Sequence, residues 1–328
     1  MLIITRAELQ RLVPMELAID AVAAAFAQLS RGQADVPLRQ HLAVPPADGL
    51  ALVMPAYLAE SSALGVKLLT LFPNNAGGEL PVIQATMMLF DTTDGQALAL
   101  MDGTYLTALR TGAASGVATR HMAREDAHTL AIFGAGATAL HQVWAVCAVR
   151  PIRRIMIVNR SAERAARLAE ALRTFGAPIP LDIQVATGAS AALAEADVVC
   201  LATAASTPLF DDADVRRGTH INGIGSYTAA MQELPGATVA RARVVVDQRA
   251  AAWAEAGDLV IPRQQGIIGE DHVVGELGEV VAGDVAGRLS EHDITFFKSV
   301  GNAAQDVAVA QLAYMLAREA GAGIEATL

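Results

Sequence analysis

A glycine turn set between an apolar strand and a helix constrains the fold of this 328-residue chain more than any other feature. The apolar run TLAIF at 129–133 leads into Gly134, and a helical pattern, ATALHQVWAVCAV, follows directly. Beyond it, apolar runs and helical patterns alternate: RRIMIVNR, SAERAARLAEALRTFG, and then IQVAT, ADVVCLAT, THINGIG and RVVVD. Strands that alternate with helices predict a parallel, doubly wound sheet of the α/β class.

The turn itself reads GAGATA, from Gly134 to Ala139, which is a GxGxxA form of the dinucleotide fingerprint. The first glycine permits a tight turn, the second lets a pyrophosphate approach the backbone, and the helix N-terminus attracts the phosphates. Because the turn follows a strand and opens a helix, we interpret it as a dinucleotide site. The alternative is a glycine turn of purely structural use.

The end of the second strand bears on the choice of cofactor. It reads Val158-Asn159-Arg160-Ser161, whereas an NAD enzyme usually has an Asp or Glu there to bind the ribose. No carboxylate is present, and a guanidinium can pair with a 2′-phosphate. The sequence therefore favours NADP(H) over NAD(H), unless Arg160 is merely a solvated residue at a helix start.

Two domains are predicted. Residues 1–120 form an α+β domain, with strand patterns at 65–72, 85–91 and 96–102 and an antiparallel hairpin at DTTDGQ. Residues 121–303 form the Rossmann domain, in which 251–290 look helical with glycine interruptions. A C-terminal helix within 304–328 is amphipathic and is expected to complete the first domain.

Composition narrows the possible partners. The net charge is −10, so bulk electrostatics give no reason to expect nucleic acid. Hydrophobic residues make up 53% of the chain, which argues against disorder. Cys147 and Cys200 lie in apolar surroundings and are expected to be buried free thiols, and no metal-ligand spacing appears. Without a signal-peptide pattern or a transmembrane-length apolar run, we expect a cytoplasmic protein with no membrane partner.

Three cations stand in apolar settings: Arg39 in VPLRQHL, Lys67 in LGVKLLTLF and Arg110 in TALRTGAAS. A charge in such a place is costly unless it is paired. Either each cation pairs with an acidic neighbour, or the three converge on an anionic ligand. Asp306, at the start of the terminal helix, is expected either to orient site groups or to serve the helix N-terminus.

Several blocks together resemble the ornithine cyclodeaminase/mu-crystallin family over nearly the whole chain. They are VPLR, MPAYL, LGVKLLTLFPNN, MDGTYLTALRTGAASGVA, FGAGATA, INGIGSY, QELP, ELGEVVAGDVAGR and FKSVGNAAQD. The resemblance implies that the N-terminal region is the substrate-binding and homodimerisation domain. It also implies that Arg39, Lys67 and Arg110 bind a substrate carboxylate.

Two departures separate this chain from the family's cyclodeaminases, which carry acids where Leu52 and Tyr227 stand. Leucine cannot ionise and a tyrosine side chain is neutral near pH 7, so the general base is missing. The turn IGSYTAAMQELP and Asn159-Arg160 resemble the family's ketimine reductases instead.

We therefore predict NAD(P)H-dependent reduction of a cyclic ketimine carboxylate, Δ1-pyrroline-2-carboxylate or Δ1-piperideine-2-carboxylate. Lys67, Arg110 and Ser226 are the predicted catalytic residues, although Ser226, Tyr227 or a water remain alternatives for placing the imine proton. The predicted cofactor contacts are Thr111, Gly134, Ala135, Gly136, Ala137, Thr138, Asn159, Arg160, Ser161, Thr203, Ile224, Gly225, Val300 and Gly301. Alternatives are an ornithine cyclodeaminase, an alanine or other amino-acid dehydrogenase, and a non-catalytic NADPH- or ligand-binding protein like mu-crystallin.

Overall fold

The computed structural model describes residues 1–76 and 78–327, so Leu328, the last residue of the predicted C-terminal segment, lies outside the described residues. The strands are β1 (Leu2–Ile4), β2 (Ala34–Asp35), β3 (Gln40–Val44), β4 (Gly49–Leu58), β5 (Ala63–Leu71), β6 (Ile83–Phe90), β7 (Ala97–Asp102), β8 (Thr129–Phe133), β9 (Arg154–Val158), β10 (Asp182–Val185), β11 (Val198–Leu201), β12 (His220–Gly223), β13 (Ala242–Val246), β14 (Val273–Glu276), β15 (Ile294–Lys298) and β16 (Ile324–Glu325). The helices are α1 (Arg6–Leu12), α2 (Met15–Ser30), α3 (Gly103–Met122), α4 (Ala139–Val149), α5 (Ala162–Phe175), α6 (Ala189–Leu193), α7 (Gly236–Arg241), α8 (Arg249–Glu255), α9 (Gly257–Gln264), α10 (Leu277–Ala282) and α11 (Ala303–Glu319).

The chain divides into two compact units. The first comprises Met1–Arg110 with Asn302–Leu328, and the second comprises Thr111–Gly301. The division falls inside α3, ahead of the boundary predicted at 120/121. The second half of α3 belongs with the second unit because a Cβ on Gly112 would lie 2.4 Å from the carbonyl oxygen of His141, so the two backbones touch. A helix lined with small residues, such as GAASGVA at 112–118 of α3, can approach another backbone this closely.

The first unit is built on an eight-stranded sheet, in the order β16-β1-β7-β6-β5-β4-β2 with β3 beside β4. Strands β4 to β7 form an antiparallel meander, which includes the hairpin that the sequence predicted at DTTDGQ. In contrast to that pattern, β1 runs parallel to β7. Helix α11 packs on α2 and on β4, β5 and β6. The terminal helix therefore belongs to the first unit.

The second unit has an eight-stranded sheet in the order β10-β9-β8-β11-β12-β15-β13-β14, and its paired strands are parallel. The first five positions follow the Rossmann order 3-2-1-4-5, with the switch point between β8 and β11, and the sixth is held by β15, which comes after β13 and β14 in the chain. The interval 251–290 is not helical throughout, because β14 lies within it as an edge strand. Four residues are too short a run to show a period of two.

Apolar side chains cover both faces of this parallel sheet. Ala131, Phe133 and Val199 belong to the core on one face, whereas Leu130 and Ile132 belong to the core on the other. Strands buried on both faces read as continuous apolar runs, which is why the sequence revealed them.

Both cysteines are buried and free. Burial raises the pKa of each thiol to about 12, so neither is a reactive nucleophile. Within the part of the chain that the structure describes, no single helix has both the length and the apolar composition to cross a membrane. The bent pair of α1 and α2, with an angle of 93°, passes that test by length and composition alone.

Candidate active site

The glycine turn has the structural context that the dinucleotide fingerprint requires. It follows β8 and ends where α4 begins. Gly134 has φ +103°, and a Cβ there would lie 2.4 Å from the carbonyl oxygen of Ala202, so only glycine fits. A Cβ on Gly136 would meet no atom of the described residues within 4 Å, which leaves space for a ligand to approach the backbone. Thr138 at the N-cap of α4 makes no side-chain capping hydrogen bond among those residues. These features fit a pyrophosphate at the helix N-terminus.

Asn159 joins this turn to the next one. Its Oδ1 accepts from the Ala135 amide at 3.2 Å, and its Nδ2 donates to the Ser161 carbonyl at 2.9 Å. The Ser161 hydroxyl accepts from the Arg164 amide at 3.3 Å and so caps α5. The Arg160 side chain is exposed at the same turn. Asn159 therefore fixes the backbone, and Arg160 is the group that faces solution.

Nearly all predicted cofactor residues lie at one edge of the second unit's sheet. The glycine turn follows β8, Asn159 follows β9, Thr203 follows β11, Gly225 follows β12 and Gly301 follows β15. Ligands of open α/β sheets bind at the carboxyl ends of the strands, which is this edge. Thr111 is the exception, since it lies in α3, where its carbonyl accepts from Gln142 Nε2 at 3.0 Å.

Two buried carboxylates that the sequence did not single out support these turns. Glu233 Oε1 accepts from the amide and hydroxyl of Thr203, at 2.7 and 2.8 Å. Its Oε2 accepts from the amides of Gly225 and Ser226, at 2.9 and 3.0 Å. Burial raises the pKa of Glu233, and the positive charge of Lys298 opposes that shift.

Asp247 is the second buried carboxylate, and it accepts hydrogen bonds from the turn after β15. Its Oδ2 accepts from the Ser299 hydroxyl at 2.7 Å and from the amides of Val300 and Gly301 at 3.0 and 2.7 Å. Burial raises its pKa, which the hydrogen bonds oppose. Each acid stands next to apolar residues in the sequence, and that is the signal by which it could have been found.

Ser226 is buried in the turn after β12. Its hydroxyl donates to the Met231 carbonyl at 2.9 Å. A role as proton donor to an imine would require this hydrogen bond to break. Tyr227, the other side chain considered for that role, is 41% exposed.

The first unit brings two of the three predicted cations onto one carboxylate. Lys67 Nζ on β5 lies 2.7 Å from Asp306 Oδ2 on α11, and Arg110 Nε on α3 lies 2.9 Å from Asp306 Oδ1. Arg110 Nη1 also donates to Gln305 Oε1 at 2.9 Å. The side chains of Lys67 and Asp306 are fully buried, and that of Arg110 is 8% exposed. Of the two possibilities for these cations, pairing with an acid therefore holds for Lys67 and Arg110.

The cluster nevertheless keeps an excess of positive charge. Burial lowers the pKa of Lys67 to about 8, Asp306 opposes that shift, and the charges of Arg110 and Arg39 add to it. Arg39, which is partly buried, thus belongs to the same electrostatic environment. With two cations, Lys67 and Arg110, on the single carboxylate of Asp306, the cluster attracts a further anion. Gln305 Nε2 is buried without a hydrogen-bond partner among the described residues, so a donor remains for such a ligand.

Comparison with known proteins identifies the family. Residues 1–321 match the sequence pattern of the ornithine cyclodeaminase/mu-crystallin family. The chain belongs to this family. It is 40% identical over 325 residues to a Δ1-pyrroline-2-carboxylate reductase of Bacillus cereus, covering 98% of each protein. The predicted family and its ketimine reductase members are thereby confirmed as the relatives of this chain.

Solved structures give the same result. The Thermococcus litoralis Δ1-pyrroline-2-carboxylate reductase in complex with NADH and L-proline is similar with a TM-score of 0.95 and 40% identity, over 99% of this chain and all of that one. An archaeal alanine dehydrogenase dimer with bound NAD has a TM-score of 0.91 and 33% identity, over 100% of this chain and 99% of that one. The predicted two-domain α/β fold and the oxidoreductase class are confirmed.

Proposed function

We propose that this protein reduces a cyclic ketimine carboxylate, Δ1-pyrroline-2-carboxylate or Δ1-piperideine-2-carboxylate, to the corresponding cyclic amino acid with NAD(P)H. The observation that carries the proposal is the Lys67–Arg110–Asp306 cluster with its excess positive charge. Its chemistry suits the carboxylate of a small imino acid. The reductases of Bacillus cereus and Thermococcus litoralis, similar over nearly the whole chain, support the substrate class.

In the proposed reaction a reduced nicotinamide supplies a hydride to the imine carbon, and the imine nitrogen takes or keeps a proton. Arg110 binds the substrate carboxylate. Lys67, which contacts the same Asp306 as Arg110, adds positive charge to the site. Asp306 and Gln305 fix the Arg110 guanidinium in one orientation. In well-aligned systems, holding the reacting groups in the correct orientation lowers the activation barrier by up to about 7–11 kcal/mol. The Ser226 hydroxyl donates to the Met231 carbonyl and would have to release it before it could protonate the imine.

Cyclodeamination is disfavoured by the side chains at two positions. Leu52, 8% exposed on β4, and Tyr227 stand where the family's cyclodeaminases carry acids. Neither provides a carboxylate to take a proton from an α-amino group. An enzyme with carboxylate binders but without that base is suited to reducing an imine that is already formed.

The decisive experiment follows the loss of NADPH and NADH absorbance with a panel of imines. We expect turnover of the five- or six-membered cyclic ketimine carboxylate, and no release of ammonia from ornithine with NAD. Turnover confined to an open-chain imino acid would replace the proposal with an amino-acid dehydrogenase. Steady production of ammonia and proline from ornithine would overturn it in favour of a cyclodeaminase.

Two variants test the carboxylate site. Arg110→Ala and Lys67→Ala should each lower kcat/KM by about a hundredfold or more, since each removes a charged contact worth about 2–4 kcal/mol in a closed site. Arg167→Ala is the matched control, because this arginine pairs with Glu163 on the exposed surface of α5. Full imine reductase activity in the Lys67→Ala, Arg110→Ala double variant would refute the assignment.

We further propose that NADPH binds more tightly than NADH. Support comes from the exposed Arg160 and from the absence of a carboxylate at Asn159. Arg160→Ala should reduce the ratio of the Kd for NADH to the Kd for NADPH by about tenfold or more, since a hydrogen bond to a charged group contributes about 1.5–3 kcal/mol. The Thermococcus litoralis relative holds NADH, so equal or tighter binding of NADH by the unmodified protein is the result that would refute this proposal.

Assembly as a homodimer through residues 1–120 is proposed as well. Large apolar side chains are exposed on several strands of the first unit's sheet, among them Leu42 on β3 (65%), Leu68 on β5 (47%) and Ile83 on β6 (39%). Exposed apolar sheet surface favours cover by another chain. The archaeal alanine dehydrogenase relative is a dimer. Light scattering should give twice the mass of one chain at micromolar concentration. Leu68→Glu, which places a charge on this exposed apolar surface, should lower the measured mass toward that of the monomer.

A further inference from the structure

Glu233 is a fully buried carboxylate whose two oxygens bind two different turns. Oε1 accepts two hydrogen bonds from Thr203, in the turn after β11, and Oε2 accepts from the amides of Gly225 and Ser226, in the turn after β12. All four donor–acceptor distances lie between 2.7 and 3.0 Å. One side chain therefore connects the carboxyl ends of two neighbouring parallel strands.

The two turns are in close contact at this point. A Cβ on Gly225 would lie 2.3 Å from the Thr203 carbonyl and 2.5 Å from Glu233 Oε1. The backbone that carries Glu233 is also fixed, because Asp258 Oδ1 accepts from the amides of Glu233 and Leu234 at 2.7 and 3.0 Å. Glu233 thus has little freedom to move, and neither have the turns it binds.

We infer that Glu233 is a positioning residue for the nicotinamide half of the cofactor. The inference rests on the proposed dinucleotide site. A Rossmann sheet is made of two mononucleotide-binding halves on either side of the switch point. Strands β8, β9 and β10 form the half with the glycine fingerprint, and β11, β12 and β15 form the other. Glu233 binds turns of that other half only, so it is expected to act on the nicotinamide end and not on the adenosine end.

The variant Glu233→Gln isolates this role. A glutamine has one acceptor oxygen and one NH2 group, so two of the four donors now held would face another donor. The turns would have to separate to relieve the conflict. We expect the Kd of the preferred cofactor, NADPH or NADH, to rise about tenfold or more, as loss of buried hydrogen-bond partners implies. The Kd of the matching adenosine half alone, AMP or its 2′-phosphorylated form, should change by less than about threefold.

Asp197→Asn is the matched control. Asp197 is also a buried carboxylate of the same sheet, and its Oδ2 accepts from the backbone amides of His128 and Thr129 at 3.0 and 3.1 Å. It lies at the amino ends of β8 and β11, opposite the cofactor edge. Both variants should lower the melting temperature, but only Glu233→Gln should weaken cofactor binding.

Fluorescence titration of the cofactor and calorimetric titration of its fragment, together with thermal melts, distinguish the outcomes. Weakened cofactor with an unaffected fragment supports the inference. Equal loss of both ligands, equal effects of the two variants, or no effect of Glu233→Gln would overturn it. If Glu233→Gln does not fold, Thr203→Val serves instead. It removes one hydroxyl, which donates to Glu233 and accepts from the Ala205 amide, and it should raise the Kd of the cofactor about threefold while leaving that of the fragment unchanged. Failure of the unmodified protein to bind any dinucleotide would instead refute the proposed function.

Discussion

Asp306→Asn tests whether one buried carboxylate organises the substrate site. The side chain of Asp306 is fully buried and lies 2.7 Å from Lys67 Nζ and 2.9 Å from Arg110 Nε. Asparagine has nearly the same volume, so the substitution removes charge without opening a cavity. Removal of one partner from a buried ion pair costs about 3–5 kcal/mol, because the remaining charge is left uncompensated. We expect the free energy of unfolding to fall by that amount.

The same substitution changes the charge of the site. Burial lowers the pKa of Lys67 to about 8, and the negative charge of Asp306 opposes that shift. Without Asp306 that pKa falls further, so Lys67 loses its proton at a lower pH. The positive charge of the site is present below the Lys67 pKa and disappears as pH rises through it. Binding of a ring carboxylate, such as pyrrole-2-carboxylate, should therefore weaken at a lower pH in Asp306→Asn than in the unmodified protein.

Urea unfolding followed by far-ultraviolet circular dichroism measures the stability. Glu163→Gln is the control, since Glu163 forms an ion pair with Arg167 on the exposed surface of α5 and should contribute less than about 1 kcal/mol. A double-mutant cycle with Lys67→Met measures the coupling, which we expect to be about 1–3 kcal/mol. A loss below about 1 kcal/mol for Asp306→Asn, or a carboxylate affinity with unchanged pH dependence, would refute the reasoning.

Three further outcomes are expected. In the unmodified protein, affinity for pyrrole-2-carboxylate should fall as pH rises through about 8, because Lys67 then loses its proton. Lys67→Arg should retain this affinity to higher pH, because a guanidinium stays protonated. Calorimetric titration of the ligand at several pH values checks both outcomes. Gly134→Ala should lower the free energy of unfolding by about 1–3 kcal/mol, because φ is +103° and the Ala202 carbonyl is in the way. Gly136→Ala should leave stability within about 0.5 kcal/mol yet weaken the dinucleotide, since its Cβ would occupy the space left for the ligand; melts and cofactor titrations separate the two.

The Rossmann unit was predictable because its signals are local. A strand buried on both faces appears as a continuous apolar run, and the glycine turn marks where the helix begins. The features that escaped prediction are not local. The parallel pairing of β1 with β7 joins segments almost a hundred residues apart along the sequence. The unit boundary at Arg110 depends on which backbone the small residues of α3 contact.

The site was predictable in its cations and less so in its acids. Lys67, Arg110 and Arg39 were identified because a charge in an apolar run is conspicuous, and the family resemblance gave them a common role. Asp306 was left between two roles, because its partners Lys67 and Arg110 lie 239 and 196 residues away. Periodicity within a window carries no information on pairing over such distances.

Charge matching offers a way past this limit. A buried charge persists only when it is paired, so each cation in an apolar run predicts an acid in another. Asp306 fits that description, since it stands in the run AAQDVAVA, whose residues are all buried in α11. Lys298 in ITFFKSV satisfies the same rule, because its Nζ lies 3.1 Å from Asp258 Oδ2 and both side chains are fully buried. A search that pairs such residues would therefore point to Asp306 and Asp258 from the sequence, whereas the contact of Glu233 with Asp258 is visible only in the structure.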